Sequence, residues 1–263
     1  MSKKKLQKDA DQEAVMGVVD HIREFRNRLI VIAVIFVAAV IIGFYYAAPL
    51  IDILKVPSAD LYNFVYLGPQ ELLLQYVRVS VVAALVVTAP VILYELLAFA
   101  SPGLKPSEKS FVMAILMLGL LFFVLGVIFA YTILLPFMLK FFDTIGMESG
   151  VEAQISIEKY VSLMISIMGV MGLVFEMPVL TILLTQMGFL KPEWLKKSRR
   201  VVVVVIFIVA AIITPPDVVS QVMVAIPMLG LFQISIVFSS MVRKRKDKKR
   251  AKREAEENRF RYQ

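Results

Sequence analysis

Residues 161–190, VSLMISIMGVMGLVFEMPVLTILLTQMGFL, decide the fold class because Glu176 is the one charged side chain among them. About 20 apolar residues in a helix cross the hydrocarbon core of a bilayer, so this stretch is long enough to span a membrane. A carboxyl group at such a depth costs roughly 2.5–3.5 kcal/mol on insertion scales, and it usually marks a function. The stretch therefore predicts a membrane helix with a functional carboxyl group.

The composition extends this prediction to the whole chain of 263 residues. Hydrophobic residues make up 59% of it, and the mean hydropathy is +0.78. Soluble domains are only about 45–50% apolar. We therefore expect residues 1–263 to form a single membrane domain with little room for a separate soluble one. No cleaved targeting peptide is predicted, because the first apolar run, from Leu29, is too long for a signal-peptide core.

Apolar runs predict an all-α integral membrane protein with six transmembrane helices. The predicted spans are approximately 29–47, 72–99, 111–135, 161–187, 201–213 and 218–242. The fifth would reach only about 20 Å as a helix, which is short of a typical 30 Å core. Snorkelling of the basic side chains before it, or local thinning of the membrane, would allow it to span. A re-entrant hairpin with the sixth segment is the alternative.

The distribution of lysine and arginine predicts the orientation. Of the 29 such residues, 25 lie before residue 29, between 100 and 110, between 190 and 200, or after 241. All of these positions fall on one side of a six-span arrangement, and the positive-inside rule assigns that side to the cytoplasm, together with both termini. Residues 243–263 then form a basic cytoplasmic tail, either disordered or a frayed helix. We expect this tail to contact anionic lipids and not nucleic acid.

Prolines interrupt several of the apolar runs. Pro90, Pro136, Pro178 and Pro227 each remove a backbone donor and kink a helix unless neighbours compensate. So many kinks favour curved helices and a concave, cupped surface. Glu176 lies two residues before Pro178, so the charge and the helix break coincide. Its carboxyl group either satisfies a freed backbone carbonyl or contacts cargo or a partner helix.

Three carboxylates lie near the predicted cytoplasmic ends of the first three spans. Glu24 is in HIREFRNRLI, Glu95 is in PVILYELLAFASPGL, and Glu108 is in the loop that follows. If they converge, they form an acidic pocket for paired guanidinium groups, which would distinguish arginine from lysine because arginine pairing is bidentate. A surface ion pair of Glu24 with Arg28, four residues later, is the simpler explanation for one of them.

The composition also argues against several kinds of active site. The chain contains no cysteine and one histidine, His21, so it offers no thiol nucleophile and no multi-histidine metal centre. No GxxxxGK phosphate-binding motif is present. We therefore predict neither an enzyme nor a bound cofactor. A proton-coupled secondary transporter that uses Glu176 is the alternative function, although no internal repeat of the kind found in transporters is visible.

Four ordered motifs resemble the TatC family, the multi-spanning core of the twin-arginine protein translocase. They are HIREFRNRL (21–29), TAPVILYELLAFASPGLKPSEKS (88–110), FEMPVL (175–180) and ITPPDVVSQVMVAIPMLGLF (213–232). The resemblance implies six helices in a cupped arrangement within the cytoplasmic membrane of a prokaryote. It also implies a signal-peptide receptor and assembly platform for the export of folded proteins, driven by the proton-motive force.

The resemblance further implies roles for residues on the predicted cytoplasmic side. Phe99 and Glu108 match positions that engage the arginine pair of the signal peptide, with Glu108 as the carboxylate acceptor. Glu24 and Arg26 match the motif before the first span that contributes to the same recognition. Glu95 stands where many members have glutamine, and it either strengthens the acidic pocket or is incidental.

The remaining implied sites lie within the membrane and on the outer side. Glu176 matches an intramembrane glutamate on the concave face. Thr214 and Gln221 match the docking site of single-span partners of the TatA/TatB type, and Pro49 and Asp217 match outer-loop positions important for assembly. The implied partners are twin-arginine signal peptides, these single-span proteins, other copies of the chain and anionic lipids.

Overall fold

The computed structural model describes residues 3–58, 61–100, 106–148, 154–215 and 217–261. Side chains are described from residue 21 onward, except at positions 97, 100, 106–109, 148, 249–250, 252–253 and 256–261. Helices dominate, as the apolar runs predict. The α-helices of these residues are α1 (Lys3–Tyr45), α2 (Ala47–Lys55), α3 (Glu71–Ala100), α4 (Pro106–Phe129), α5 (Leu135–Glu148), α6 (Ile157–Phe175), α7 (Met177–Met187), α8 (Pro192–Lys197), α9 (Arg199–Ile213) and α10 (Val218–Arg261).

Within the described ranges, five helical segments are long and apolar enough to cross a membrane. They are His21–Tyr45, Glu71–Leu96, Ser110–Met147, Ile157–Met187 and Val218–Lys248. These segments correspond to five of the six predicted spans. The predicted fifth span lies in α9, whose 15 residues reach about 22 Å. Because α9 alone is shorter than a 30 Å core, the count of six spans stays a prediction.

The chain divides into two compact units, each with its own internal packing. The first is Met1–Leu50 with Tyr76–Leu116, and the second is Ile51–Gln75 with Met117–Gln263. In the first unit, α1 approaches α3 closely at Gly43, where a Cβ atom would lie 3.1 Å from the carbonyl oxygen of Ser80. A side chain at this position would be tight, and the neighbouring helix would have to move by a few tenths of an ångström to accept it.

In the second unit, α4 and α6 pack against each other at two glycines. A Cβ atom on Gly126 would lie 2.5 Å from the carbonyl oxygen of Met171, and one on Gly172 would lie 2.6 Å from the ring of Phe123. Neither position has room for a side chain. The clash at Gly126 would be with backbone, which cannot rotate aside, so this glycine sets the distance between the two helices.

The third candidate span changes its winding near Pro136. Between α4 and α5, residues Ala130–Leu134 form one π-helical turn. Proline lacks an amide hydrogen, and its ring clashes with the carbonyl group four residues earlier, here that of Thr132. Because Thr132 lies inside the wider π turn, the change in winding accommodates the proline within a continuous helical segment.

Two short strands form a parallel pair, and the all-helical prediction missed them. β1 (Asn63–Val65) pairs with β2 (Gln154–Ser156), with Asn63 opposite Gln154. Three residues are too few for an alternating pattern to indicate a strand. The correction is local, because the rest of the described secondary structure is helical.

The carboxylate of Glu71, at the start of α3, joins the loop before that helix to β2 and α6. It accepts hydrogen bonds from the backbone amides of Leu67 at 2.6 Å, Gly68 at 3.3 Å and Glu158 at 3.1 Å, and from the hydroxyl of Ser156. Only 6% of Glu71 is exposed. We name these five residues the Glu71 cap; its carboxylate is buried and fully hydrogen-bonded.

Tyrosine hydroxyls make further links in the second unit. Tyr62 donates to the carbonyl oxygen of Leu139 at 2.5 Å, and Tyr160 donates to that of Leu54 at 2.8 Å. Burial raises the pKa of Tyr62 to about 12, and the nearby carboxylate of Asp143 acts in the same direction. Tyr62 therefore stays protonated, and able to donate, far above neutral pH.

The last helix extends into the predicted tail. α10 continues to Arg261, so the described residues of the tail are helical, which is one of the two alternatives that the sequence left open. α7 ends at Met187, and the next residue, Gly188, has a φ of 93°, a left-handed conformation that favours glycine. Lys246 of α10 donates from Nζ to the carbonyl oxygen of Gln186 at 2.9 Å, which attaches the tail to the end of α7.

Candidate functional site

A charged cluster forms in the first unit, where α1 contacts the last part of α3. Arg28 donates from Nε and Nη2 to Oε1 of Glu24, at 3.0 and 2.7 Å, and from Nη1 to Oε2 of Glu95, at 2.7 Å. One guanidinium group thus bridges carboxylates from two helices. The side chains of Arg28, Glu24 and Glu95 are 26%, 36% and 15% exposed, so solvent reaches the cluster.

Aromatic rings lie beside these charges. His21 stacks on Phe99 with ring centroids 4.2 Å apart and an interplanar angle of 11°, and Phe25 lies 5.2 Å from Phe99. His21 Nδ1 is 3.7 Å from Oε2 of Glu24. We name the whole group the α1–α3 cluster; its members are His21, Glu24, Phe25, Arg28, Glu95 and Phe99.

The α1–α3 cluster contains three of the five residues predicted to bind a signal peptide. Glu24, Glu95 and Phe99 lie together, as the acidic-pocket hypothesis requires. Arg26 is exposed and donates a hydrogen bond at 3.2 Å to the next side chain in the sequence. Glu108 belongs to α4, but its side chain lies outside the described residues, so its convergence with the others stays a prediction.

The structure adds His21 and Phe25 to the predicted residues, and it shows that Arg28 pairs with two carboxylates instead of one. The ion pair of Glu24 with Arg28 is present, as the simpler explanation held, but Arg28 also reaches Glu95. The spacing of four residues between His21 and Phe25 could have indicated an aromatic face on α1. The contact of Arg28 with Glu95 joins residues 67 positions apart, so local spacing contains no signal for it.

Glu176 lies at the break between two helices of the second unit. α6 ends at the residue before it, and α7 begins at the residue after it, with Pro178 in its first turn. The half-buried carboxyl group faces α4, where a Cβ atom on Gly119 would lie 2.8 Å from Oε2. Within the described residues, this carboxyl group makes no hydrogen bond. The expected hydrogen bond to a backbone carbonyl freed by Pro178 is therefore not seen among them. Sequence reasoning missed Gly119, although it lies two helical turns before Gly126 on the same face of α4.

Thr214 and Gln221 line different cavities. Thr214, at the end of α9, is buried, donates to the carbonyl oxygen of Ala210 at 2.9 Å and lines a cleft of about 760 Å³. Gln221 of α10 donates from Nε2 to the carbonyl oxygen of Phe207 at 2.9 Å. It also lines a groove of about 370 Å³ whose other walls are apolar residues of α9. The two residues predicted to bind a partner helix therefore do not share one cavity.

Pro49 and Asp217 both lie at helix starts. Pro49 is in the first turn of α2, where a missing amide hydrogen has no cost because those amides lack intrahelical partners. Asp217 precedes α10, and its Oδ1 accepts a hydrogen bond from the backbone amide of Ser220 at 2.7 Å. Asp217 thus acts as an N-cap for the last long helix.

Long apolar helices, five of them able to cross a membrane among the described residues, define a multi-helix integral membrane protein. The sequence profile of the family described as Sec-independent protein translocase protein (TatC) matches residues 20–227. The chain belongs to this family of protein translocase components, and the resemblance seen in the four motifs is confirmed.

The similarity to individual relatives covers most of the chain. The TatC protein of Listeria innocua is 34% identical over 246 residues, covering 90% of this chain and 96% of its own. TatCy of Bacillus subtilis is 34% identical over 240 residues, covering 90% and 93%. A crystal structure described as the twin-arginine translocase receptor TatC superimposes with a TM-score of 0.73 at 34% identity, covering 84% and 99%. A secondary transporter is a different class of protein, and nothing in the described residues favours it.

Proposed function

We propose that this protein is the receptor for twin-arginine signal peptides and the assembly platform of a translocase that exports folded proteins. The observation that carries the proposal is that Glu24 and Glu95 already hold one guanidinium group between them. Carboxylates spaced in this way suit an arginine of a signal peptide, because arginine pairs in a directional, forked geometry. The description of the solved relative as a twin-arginine translocase receptor supports the same role.

In this proposal, the aromatic side of the α1–α3 cluster holds the peptide backbone near the charges. Phe99 packs beside the signal peptide, and its stacking on His21 fixes the orientation of the ring. Glu108 supplies another carboxylate for the second arginine, and exposed Arg26 contributes from α1. The result is a site that requires two guanidinium groups in sequence.

We further propose six spans with both termini in the cytoplasm of a prokaryote and with α9 as the short fifth span. The basic residues Lys196, Lys197, Arg199 and Arg200 at its start are all exposed, which suits snorkelling to the headgroups. The basic end of α10 lies on the same side and contacts anionic lipids. Thinning of the membrane around α9 accommodates the remaining mismatch.

The assembly role uses the polar groups of the second unit. A single-span partner of the TatA/TatB type docks in the apolar groove lined by Gln221, and Thr214 contributes from the neighbouring cleft. Glu176, without a hydrogen bond among the described residues, receives a signal peptide or a partner helix. Other copies of the chain complete the complex. The proton-motive force drives export, and the protein itself catalyses no reaction.

Binding of a fluorescent twin-arginine signal peptide to the purified full chain tests the receptor role. We expect tighter binding than that of the Lys-Lys peptide by about tenfold or more, because a charge-assisted hydrogen bond is of that order. Glu108→Gln should weaken Arg-Arg binding by a similar factor, whereas Glu193→Gln, on α8, should leave it unchanged. Equal affinity for the two peptides contradicts the proposal.

A photocrosslinking amino acid at position 176 tests the intramembrane contact. In membranes that contain a signal peptide and the partner proteins, we expect crosslinks from position 176 to one of these. The exposed position Leu173, one turn earlier on α6, is the matched control and should give a lower yield. Crosslinks confined to the chain's own helices show that Glu176 is a structural residue.

A further inference from the structure

Arg28 is the charged member of the α1–α3 cluster that the proposed function leaves without a role. It lies on α1 with its guanidinium group in the position that a signal arginine would take, between Glu24 and Glu95. We infer that Arg28 is a self-inhibitory ligand, which occupies the arginine site of its own chain until a signal peptide displaces it. This inference rests on the proposed receptor function.

The hydrogen bonds of Arg28 use the same donors and acceptors as a bound signal arginine. Three of its nitrogen atoms donate to two carboxylates, at distances of 2.7 to 3.0 Å. These carboxylates cannot accept a second guanidinium group in the same geometry while Arg28 is present. The site of the isolated chain is therefore closed by an ion pair rather than by a lid.

Exposure makes this ion pair exchangeable. Arg28 is 26% exposed and lies on a long, flexible side chain, so its head can move into water without disturbing α1. An incoming arginine restores each hydrogen bond that the departing one loses, and the charge of the site does not change. Exchange therefore leaves neither partly buried carboxylate without a partner, and an unpaired carboxylate would be the main cost of opening the site.

Self-occupation sets a threshold for ligands. A ligand that binds only the open form has an apparent affinity reduced by the fraction of molecules that are open. The factor of reduction is the same for Arg-Arg and Lys-Lys signals. For the weaker ligand, however, it raises the apparent dissociation constant above the concentration at which that ligand is present. After the first arginine of a signal has displaced Arg28, the second binds with the advantage of tethering. Arg28 thus excludes single or weak cationic segments.

Affinity measurements on Arg28→Lys and Arg28→Gln test this inference. Lysine keeps the charge but not the forked geometry, so a gain in affinity cannot come from reduced repulsion alone. We expect both variants to bind the Arg-Arg peptide about three- to tenfold more tightly, the range for one or two partly exposed ion pairs. The Lys-Lys peptide should gain by the same factor, so the ratio of the two affinities stays constant. Arg23→Gln, which removes the same charge from the same helix, should not produce this common gain.

The outcomes separate the inference from the function on which it rests. If the wild type prefers Arg-Arg but Arg28→Lys binds both peptides with unchanged or lower affinity, Arg28 is a structural brace and self-inhibition is wrong. If the wild type has no preference, the proposed receptor function fails, and the inference fails with it. A melting curve of each variant supports the assignment, because a brace lowers the melting temperature without any gain in affinity. Should Arg28→Gln fail to fold, Arg28→Lys alone decides the matter.

Discussion

The Glu71 cap and the α1–α3 cluster both provide hydrogen-bond donors for carboxylates, but the donors are of opposite kinds. In the Glu71 cap, a buried carboxylate accepts four hydrogen bonds from three backbone amides and one hydroxyl. In the α1–α3 cluster, the acceptors are carboxylates that are open to solvent, and the donor is a flexible arginine. Neutral donors fixed by the fold hold a structure together, whereas a mobile charged donor can be exchanged for a ligand.

The close helix contacts also differ between the two units, because the one in the second unit is the tighter. Gly126 in the second unit touches backbone so closely that a Cβ atom would need the helices to separate. Gly43 in the first unit leaves a Cβ atom 3.1 Å from its neighbour, which a small shift relieves. The contact between α4 and α6 is thus tighter than the contact between α1 and α3, and the latter helix pair also carries the ion pair that we propose a ligand displaces.

The largest expected effect is that of Gly126→Ala. The added methyl group would meet the carbonyl oxygen of Met171 at 2.5 Å, and overpacking of this kind costs about 1–3 kcal/mol. Gly43→Ala should cost less, and Gly169→Ala, where no atom lies within 4 Å, should be neutral or slightly stabilising. Thermal unfolding in detergent provides the measurement. Equal melting temperatures for the first two variants would remove the distinction between the units.

Glu71→Gln should have the next largest effect on stability. The amide nitrogen would face donors in place of an oxygen acceptor, so buried amides of the Glu71 cap lose their partners. We expect the melting temperature to fall by roughly 5 °C. Glu193→Gln on α8 is the control for loss of one charge. A melting temperature like that of the wild type would mean that the cap does not stabilise the fold.

Salt should sharpen the contrast between the two groups. At about 1 M NaCl the screening length falls to roughly 3 Å, which weakens exposed ion pairs but not buried hydrogen bonds. The difference in melting temperature between wild type and Arg28→Gln should therefore shrink at high salt, whereas the difference between wild type and Glu71→Gln should persist. Equal responses would indicate that the α1–α3 cluster is as well shielded as the cap.

The smallest predicted effect concerns pH and Tyr62. Because its pKa in the folded protein is about 12 and that of an unperturbed tyrosine is about 10, its contribution to stability is complete below pH 10. It is lost as the pH rises from 10 to 12. The difference in melting temperature between wild type and Tyr62→Phe should accordingly be constant up to pH 10 and then decrease. A difference that changes between pH 7 and 9 would show that the hydroxyl is less buried than it appears.

Apolar length and charge were enough to predict the membrane helices, because a span must satisfy its own backbone over about 20 residues. The two strands escaped prediction, since the partner of Asn63 is supplied by a distant segment. The prediction of six spans was limited at α9, where length alone does not decide. The break at Glu176 was predictable from Pro178, but the π turn before Pro136 was not, because it is a compensation for the proline and has no sequence signature.

The sequence predicted which residues would come together in the candidate site, but it did not predict that Arg28 would pair with both of its carboxylates. Motifs placed Glu24, Glu95 and Phe99 in one hypothesis, and they do lie together. The position of the Arg28 side chain depends on the packing of α1 against α3, which no local pattern encodes. Similarly, the groove beside Gln221 and the contact of Glu176 with Gly119 arise only when helices distant in sequence meet.

The pairing of β1 with β2 also constrains the order of biogenesis. Roughly ninety residues separate the two strands, which takes a ribosome about 5–20 s to translate. Until β2 emerges, Glu71 has only its local donors, the amides of Leu67 and Gly68. The Glu71 cap can close only after the intervening helices and the donors of Ser156 and Glu158 have been synthesised, so its completion is a late step in the folding of the chain.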